Sequence, residues 1–358
     1  GRGVIDDKGP AVLSLYAGAF FLREGITPRY TFRALLGCDE EVGMTDVKHY
    51  LAGHEQPLFL FTPDAEFPVC NAEKGCFGGT FKSAKIENGI ICSWSGAEAT
   101  NAIPSQSECI IAVPLADLSA PQANADRITL EDAGEGCTRI FAQGIGGHAS
   151  LPEGTINAIA LVAGYLHEVM DVKPDLFDPA ERSYLDLLSV VHDGTAGEGL
   201  GIAAESDAFG ALTCNAGTIE VADGHILQTI DVRYPDSTTS DEMSMICGAH
   251  ASRFGAEFIA GRAKEPFSVS ADSPAVRALL NTYREVTGKP AEPFSMGGGT
   301  YARNFKSAVS FGPEDNGLEL PAWAGSMHGP NEAANEQLLR DALKMYIIAL
   351  VRLNELEF

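Results

Sequence analysis

The sequence predicts an α/β fold: a mostly parallel central sheet with its helices, interrupted by a large α+β insertion. Three observations predict it. Helical apolar spacing and short apolar runs alternate in the first sixty residues, the mark of strand–helix layering. Near residue 76 the texture changes to Gly-punctuated strands followed by helices. From residue 266 the α/β alternation returns and ends in a long amphipathic segment.

In order, "AVLSLYAGAFFLREG" (11–25) carries helical spacing and stops at Gly25. "RYTFRALLG" (29–37) reads as a strand, "MTDVKHYLAGHE" (44–55) as a helix, and "PLFLFTPD" (57–64) as a buried strand running into a turn. In the insertion, "GGTFKSAKIENGIICSWSG" and "SECIIAVPL" are strand-like. Helical patterns follow over 155–170 and 178–193, then a strand over 225–235 that ends at Pro235 and a helix near 240–253. The order strands–helices–strands–helix suggests two similar halves. Beyond it, 273–288 is a helix with a Ser N-cap and a Gly stop, "SAVSFGP" a short strand, and 335–357 an amphipathic helix.

The 358 residues are 45% hydrophobic and 21% charged, ordinary for a globular chain and long enough for two domains. A net charge of −24 argues against nucleic acid or an anionic membrane as partner. No run of 18 apolar residues suggests a transmembrane helix. The eight cysteines form no C-x-x-C pair, and several sit in apolar strands. They read as reduced core thiols of a cytoplasmic protein, against a zinc ribbon or a disulfide framework. "GRGVIDDKGP" opens without an initiator Met or a signal-peptide pattern, so the expectation is that an N-terminal portion precedes Gly1.

Metal-ligand residue types occur where predicted strands end. Asp6 lies in "VIDDKG", Glu40 and Glu41 in "GCDEEVG", Asp64 in "FTPDAEFP" and His328 in "GSMHGPNE". In an open α/β sheet, strand ends converge on one crevice. Carboxylates meeting there repel unless divalent cations bind them, and oxygen ligands with one imidazole suit Zn²⁺, Mn²⁺ or Co²⁺. Each piece alone has an ordinary reading. "DEE" can be a solvated turn, a His before Gly-Pro a turn residue, and "DDKG" a helix cap.

Six motifs together carry more. "GRGVIDDKGP", "GCDEEVGMTDV", "TPDAEFPVCNAEKG", "GGHASLPEGTINA", "MGGGTYARNF" and "MHGPNEAANEQLL" span nearly the whole chain. In these the chain resembles the M20 metallopeptidase family, in particular its PepV-like dipeptidases. The resemblance implies a catalytic domain (1–78 and 266–358) interrupted by a lid domain (79–265). It implies two divalent ions, Zn²⁺ or Mn²⁺, bridged by Asp6, with Asp64 completing one shell and Glu41 and His328 the other. Glu40 is then the general base on a water shared by the ions, and Asp39 structures the loop. His148 closes over the site to stabilise the oxyanion with help from Asn101. Arg233 binds the substrate's terminal carboxylate, and the backbone amides of 297–300, around Gly298, form a second anion cradle. A cis Asp6–Asp7 peptide is implied too.

One motif of the family is absent: a His-x-Asp upstream of "GRG", whose His is the remaining ligand of the Asp6/Asp64 ion. That part also supplies strands, so its absence is expected to expose some of the core. The implied activity is hydrolysis of a short unblocked peptide by a monomer, the enlarged lid serving its own chain. The alternatives are another M20 amidohydrolase (an N-acyl amino acid deacylase, a carboxypeptidase or a desuccinylase) or an inactive binding homologue. A retaining glycosidase explains neither His328 nor the ordered motifs.

Overall fold

The computed structural model describes residues 2–315, 317–325 and 327–358. Seven α-helices lie among them: α1 (Lys8–Arg23), α2 (Thr45–Gly53), α3 (Ala158–Val172), α4 (Pro179–Val191), α5 (Ser240–Arg253), α6 (Pro274–Thr287) and α7 (Glu336–Glu355). The chain divides into two compact units. One comprises Gly1–Glu73 with Phe267–Phe358, the other Lys74–Pro266.

The first unit is built on a mixed five-stranded sheet. Leu60–Thr62 pairs in parallel with Ala308–Ser310, and Phe294–Met296 in parallel with Cys70–Glu73. The strand Cys70–Glu73 also takes Ala308–Ser310 and Phe267–Ser268 as antiparallel neighbours. Its core is aromatic at the centre. Phe67 meets Phe311 edge-on with centroids 4.7 Å apart, and Tyr346 of α7 packs against Phe61, Phe67 and Phe311. α6 follows its sequence signals. Ser273 caps it by accepting from Val276 N at 3.2 Å, and Gly288 ends it in the left-handed region at φ +68°. α1 and α6 both pack on α7, while Val12, Leu15, Tyr16 and Leu22 of α1 remain exposed.

Residues 29–37 depart from expectation. They form no strand, because no ladder partner exists for them among the described residues. β-branched and aromatic composition favours a strand only where a neighbour can satisfy its backbone. The segment is held by side chains instead. Tyr30 donates to Leu356 O at 2.8 Å, and Phe32 packs edge-on against Phe21 at 4.9 Å.

The second unit holds two four-stranded antiparallel sheets. The first orders Thr213–Ala222, His225–Tyr234, Gly75–Lys82 and Glu257–Lys264. The second orders Ile91–Ser95, Gln106–Ile111, Cys137–Gln143 and Ile128–Gly134. α3 packs on the second sheet and on α4, and α5 on the strand Glu257–Lys264. Every second residue of His225–Tyr234 is buried, the period of a strand with one covered face. Glu181 is fully buried yet satisfied. It completes the capping box of α4 with Asp178 and accepts from the amides of Ile90 (3.1 Å) and Ile91 (2.9 Å). All eight cysteines are free; Cys70, Cys109, Cys214 and Cys247 are buried, and Cys38 and Cys92 are exposed. No helix among the described residues is long and apolar enough to cross a membrane.

Gly312 fixes the approach of two loops that matter below. A Cβ there would lie 1.7 Å from the Pro63 carbonyl oxygen, a backbone atom that cannot give way. Gly312→Ala should therefore cost about 2–4 kcal/mol in urea unfolding. A loss below about 0.5 kcal/mol, typical of a neutral surface change, would show that these loops tolerate separation.

Candidate metal centre

The acidic residues of the first unit meet in space. Asp6 lies in the turn before α1, and the Asp6–Asp7 peptide is cis. Its Oδ2 is 2.7 Å from His328 Nε2, and the same nitrogen is 3.1 Å from Glu41 Oε1. Asp6, Glu41 and His328 thus form one cluster in which a donor atom from each lies within 4.8 Å of the others. Asp6, Asp64 and Glu314 form a second cluster by the same measure. Asp6 is common to both, the arrangement a bridging carboxylate requires.

Glu314 is the residue that sequence reasoning missed. It stands in no quoted motif, and an acid in "GPEDNG" reads as a turn. The fold brings it in through Gly312 and through a parallel bridge between Glu66 and Glu314, with Glu314 N donating to Ala65 O at 3.2 Å. The tight Gly-Pro turn after the strand Ala308–Ser310 is the signal that could have found it.

The "DEE" stretch divides as its chemistry suggests. Asp39 organises the loop: its carboxylate accepts from Thr45 N at 2.7 Å and from the Thr45 hydroxyl, and its carbonyl from Gly43 N and Met44 N. Glu40 and Glu41 follow in a 3₁₀ turn, Glu40–Val42. The loop is pinned from below by Asp46, which accepts from Cys38 N (2.8 Å) and Tyr301 Oη (2.7 Å). Burial works to raise the Asp46 pKa, but the hydrogen bonds from Cys38, Tyr301, Val47 and Asp39 win and hold it below the usual carboxylate value.

The second cluster is electrostatically loaded. Burial, then the charges of Glu40, Asp7, Glu314 and Asp6, push Asp64 up to about 10. Burial, followed by Asp6, Asp7, Glu66 and Glu40, pushes Glu314 to about 8. Asp7 rises to about 7 through burial and the neighbouring Asp6. Negative charges packed this closely want cations or protons.

Two further loops belong to the first unit. Gly298 lies in the loop 297–300, which is anchored by the buried Glu73. Glu73 Oε1 accepts from Thr300 N (3.0 Å) and Thr300 Oγ1 (2.7 Å), and Arg303 lies 3.7 Å from Oε2. Glu332, also buried, turns its carboxylate on the turn that carries Asp6, accepting from Gly3 N (2.6 Å), Ile5 N (2.9 Å) and Asp6 N (3.1 Å). Burial opposes ionisation of Glu332, but the bonds from Ile5, Gly3 and Asp6 outweigh it and lower its pKa.

Asn101, His148 and Arg233 belong to the second unit. Ala102 pairs with His148 across two short strands, and Ala149 N donates to Asn101 O at 2.9 Å, so Asn101 and His148 are neighbours. Ser150 N donates to His148 Nδ1 at 3.2 Å, and the Ser150 hydroxyl lies 2.7 Å from it. An Nδ1 that accepts from an amide places the proton of the neutral ring on Nε2. Arg233 sits on the strand His225–Tyr234 as a pinned fork. Its Nε and Nη2 meet Asp231 Oδ1 and Oδ2 at 2.7 and 3.0 Å, and Nη1 meets Cys76 Sγ at 2.8 Å.

Paired clusters of hard oxygen donors with one imidazole, on loops of an α/β unit interrupted by an α+β unit, define a metal-dependent hydrolase. Residues 1–352 match the profile of peptidase family M20/M25/M40, and the chain belongs to that family: it is a metallopeptidase. It is 30% identical over 362 residues to a β-Ala-Xaa dipeptidase of Lactobacillus delbrueckii subsp. lactis, covering 97% of this chain and 73% of that one. It is 31% identical over 326 residues to YtjP of Bacillus subtilis (strain 168), covering 87% and 68%. Among solved structures, the di-peptidase Dug1p of Saccharomyces cerevisiae shares the fold at a TM-score of 0.51 and 11% identity, over 100% of this chain and 73% of that one.

The raised carboxyl groups predict how the metal-free protein responds to pH. Asp7, Glu314 and Asp64 hold their protons more tightly when folded than when unfolded, where such groups titrate near about 4. Below that pH they cost nothing. As pH rises through their folded values of about 7, 8 and 10, the folded state loses stability. Thermal unfolding of chelated protein should show a midpoint that falls between about pH 5 and about pH 9, and added Mn²⁺ should flatten the slope. A midpoint rising with pH in chelator would contradict the cluster.

Proposed function

We propose that this protein hydrolyses the peptide bond of dipeptides or short unblocked peptides, using two divalent ions held by Asp6, Glu41, Asp64, Glu314 and His328. One observation carries the reading: a single carboxylate, Asp6, belongs to both donor clusters. The donors fit such ions. One cluster offers two carboxylates and an imidazole, the other three carboxylates, and each brings charges together that a cation would neutralise. The imidazole cluster suits Zn²⁺ or Mn²⁺; the all-oxygen cluster leans towards the harder Mn²⁺.

Ions held there would supply Lewis acidity, to acidify a water and to polarise the scissile carbonyl. The protein's own groups do the rest. Glu40 precedes the cluster residue Glu41 in the chain and acts on the charge of Asp64 and Glu314, which supports it as the base. It takes the proton of the water and returns it to the departing amine. His148 offers Nε2–H to the oxygen that becomes negative, and Asn101 assists it. Arg233, held flat by Asp231, receives the substrate's terminal carboxylate, and the amides around Gly298 serve as a second anion cradle. The size of the second unit, Lys74–Pro266, supports a monomer as the working species. The eight free thiols support a reducing, cytoplasmic setting.

With Mn²⁺ or Zn²⁺ loaded, free dipeptides should be cleaved and N-acetyl amino acids left intact; deacylation without dipeptide cleavage would give the site to acyl-amino-acid chemistry. Glu40→Gln should lower kcat by about 10²–10⁴-fold with metal content unchanged. His148→Ala should lower kcat by about 10²–10³-fold with little change in KM. Loss of metal in Glu40→Gln, measured by elemental analysis, would make Glu40 a ligand rather than a base.

A further inference from the structure

Glu332 makes no appearance in either donor cluster, yet it is 2% exposed and carries a carboxylate turned into the protein. Burying a charge is costly unless hydrogen bonds answer it, so its partners define its task. Three of them are consecutive-turn amides of one short segment: Gly3 N, Ile5 N and Asp6 N. Gly3 has φ +73°, which curls the turn so that these amides converge on one acceptor.

The same residue closes the loop that bears His328. Glu332 bridges to Gly325 in parallel, and Gly325 N donates to Asn331 O at 2.9 Å. His328 and Asn331 both have positive φ, +60° and +57°. A Cβ at Gly325 would lie 1.9 Å from Pro330 O, so the loop is wound tightly against itself. One carboxylate therefore fastens the Asp6 turn to the His328 loop, and those are the two side chains 2.7 Å apart at the centre.

We propose that Glu332 is the positioning residue of the metal centre: it sets the separation of Asp6 and His328, and through the shared Asp6 it tunes the affinity of both clusters for divalent ions. The inference rests on the two-ion reading above. Outer partners that orient a ligand commonly change metal affinity by about 10–100-fold. Because Asp6 belongs to both clusters, the loss falls on both ions. Because Glu332 touches no reacting atom, saturating metal restores turnover.

The test compares Glu332→Gln and Asp6→Asn with the unaltered full chain. Mn²⁺ binding is followed by electron paramagnetic resonance of the free ion, and hydrolysis is followed as Mn²⁺ is raised. Glu332→Gln should bind both Mn²⁺ ions about 10–100-fold more weakly and recover most of its kcat at saturating Mn²⁺. Asp6→Asn should bind poorly and stay inactive at any Mn²⁺ concentration. Should Glu332→Gln not fold, Glu332→Asp keeps the charge on a shorter arm; native circular dichroism with weakened Mn²⁺ binding then supports the proposal. Unaltered Mn²⁺ affinity in whichever variant folds overturns it. Unaltered affinity in Asp6→Asn overturns the two-ion reading instead.

Discussion

Mutual repulsion among buried carboxylates is the constraint that the first unit is built to withstand. Asp7, Asp64 and Glu314 are each raised first by burial and then by neighbouring charges, Asp6 among them for all three. Left alone, such groups neutralise by taking up protons or separate by moving apart. Protonation is one answer, and the raised values of Asp64 and Glu314 show the molecule leaning towards it. Separation is prevented by the backbone. The turn of Asp6 is tied by three amides to Glu332, and the loop of Glu314 is pressed onto that of Asp64 by a glycine with no room for a side chain. A scaffold that resists separation leaves a proton or a cation as the ways to relieve the charge.

The ties follow a common pattern. The donors lie in turns, loops and one 3₁₀ turn rather than in long elements, and a buried or pinned acid holds several of these segments from behind. Glu73 holds the loop of Gly298, Asp46 holds the "DEE" turn with Tyr301, and Glu332 holds the turn of Asp6. Each of these acids turns towards backbone amides. The acids that face the centre and the acids that support it are distinct sets with opposite electrostatic histories. Asp7, Asp64 and Glu314 are pushed towards protonation; Asp46 and Glu332 are held below their ordinary values by the hydrogen bonds they accept.

That division explains what was legible in the sequence. Asp6, Glu40, Glu41, Asp64 and His328 stand in compact strings whose order resembles a known family, and the structure gathers Asp6 with Glu41 and His328, and Asp6 with Asp64. For Glu314 the sequence offers only the Gly-Pro turn before it; its place beside Asp64 depends on the close approach of Gly312 to Pro63, residues 249 apart in number. Glu332 lay within a quoted motif, but its role is to receive backbone amides, and backbone leaves no trace in residue type. A helix with marked ends is legible: Ser273 and Gly288 bound α6 as the sequence signals. Residues 29–37 have the composition of a strand, and composition cannot say whether a partner strand is there to pair.

The second unit shows the same economy applied to a cation. An arginine on an exposed strand face would sample many rotamers and lose that freedom on meeting an anion. Arg233 has given it up already. Asp231 two residues before it points to the same face of the strand, and their side chains meet in two parallel hydrogen bonds. Cys76, its register partner on the neighbouring strand, takes the remaining terminal nitrogen into contact. The strand period fixes the first contact and the sheet register the second, so the orientation of the guanidinium follows from backbone geometry alone. The guanidinium is thereby held in one orientation with its ordering cost already met on folding.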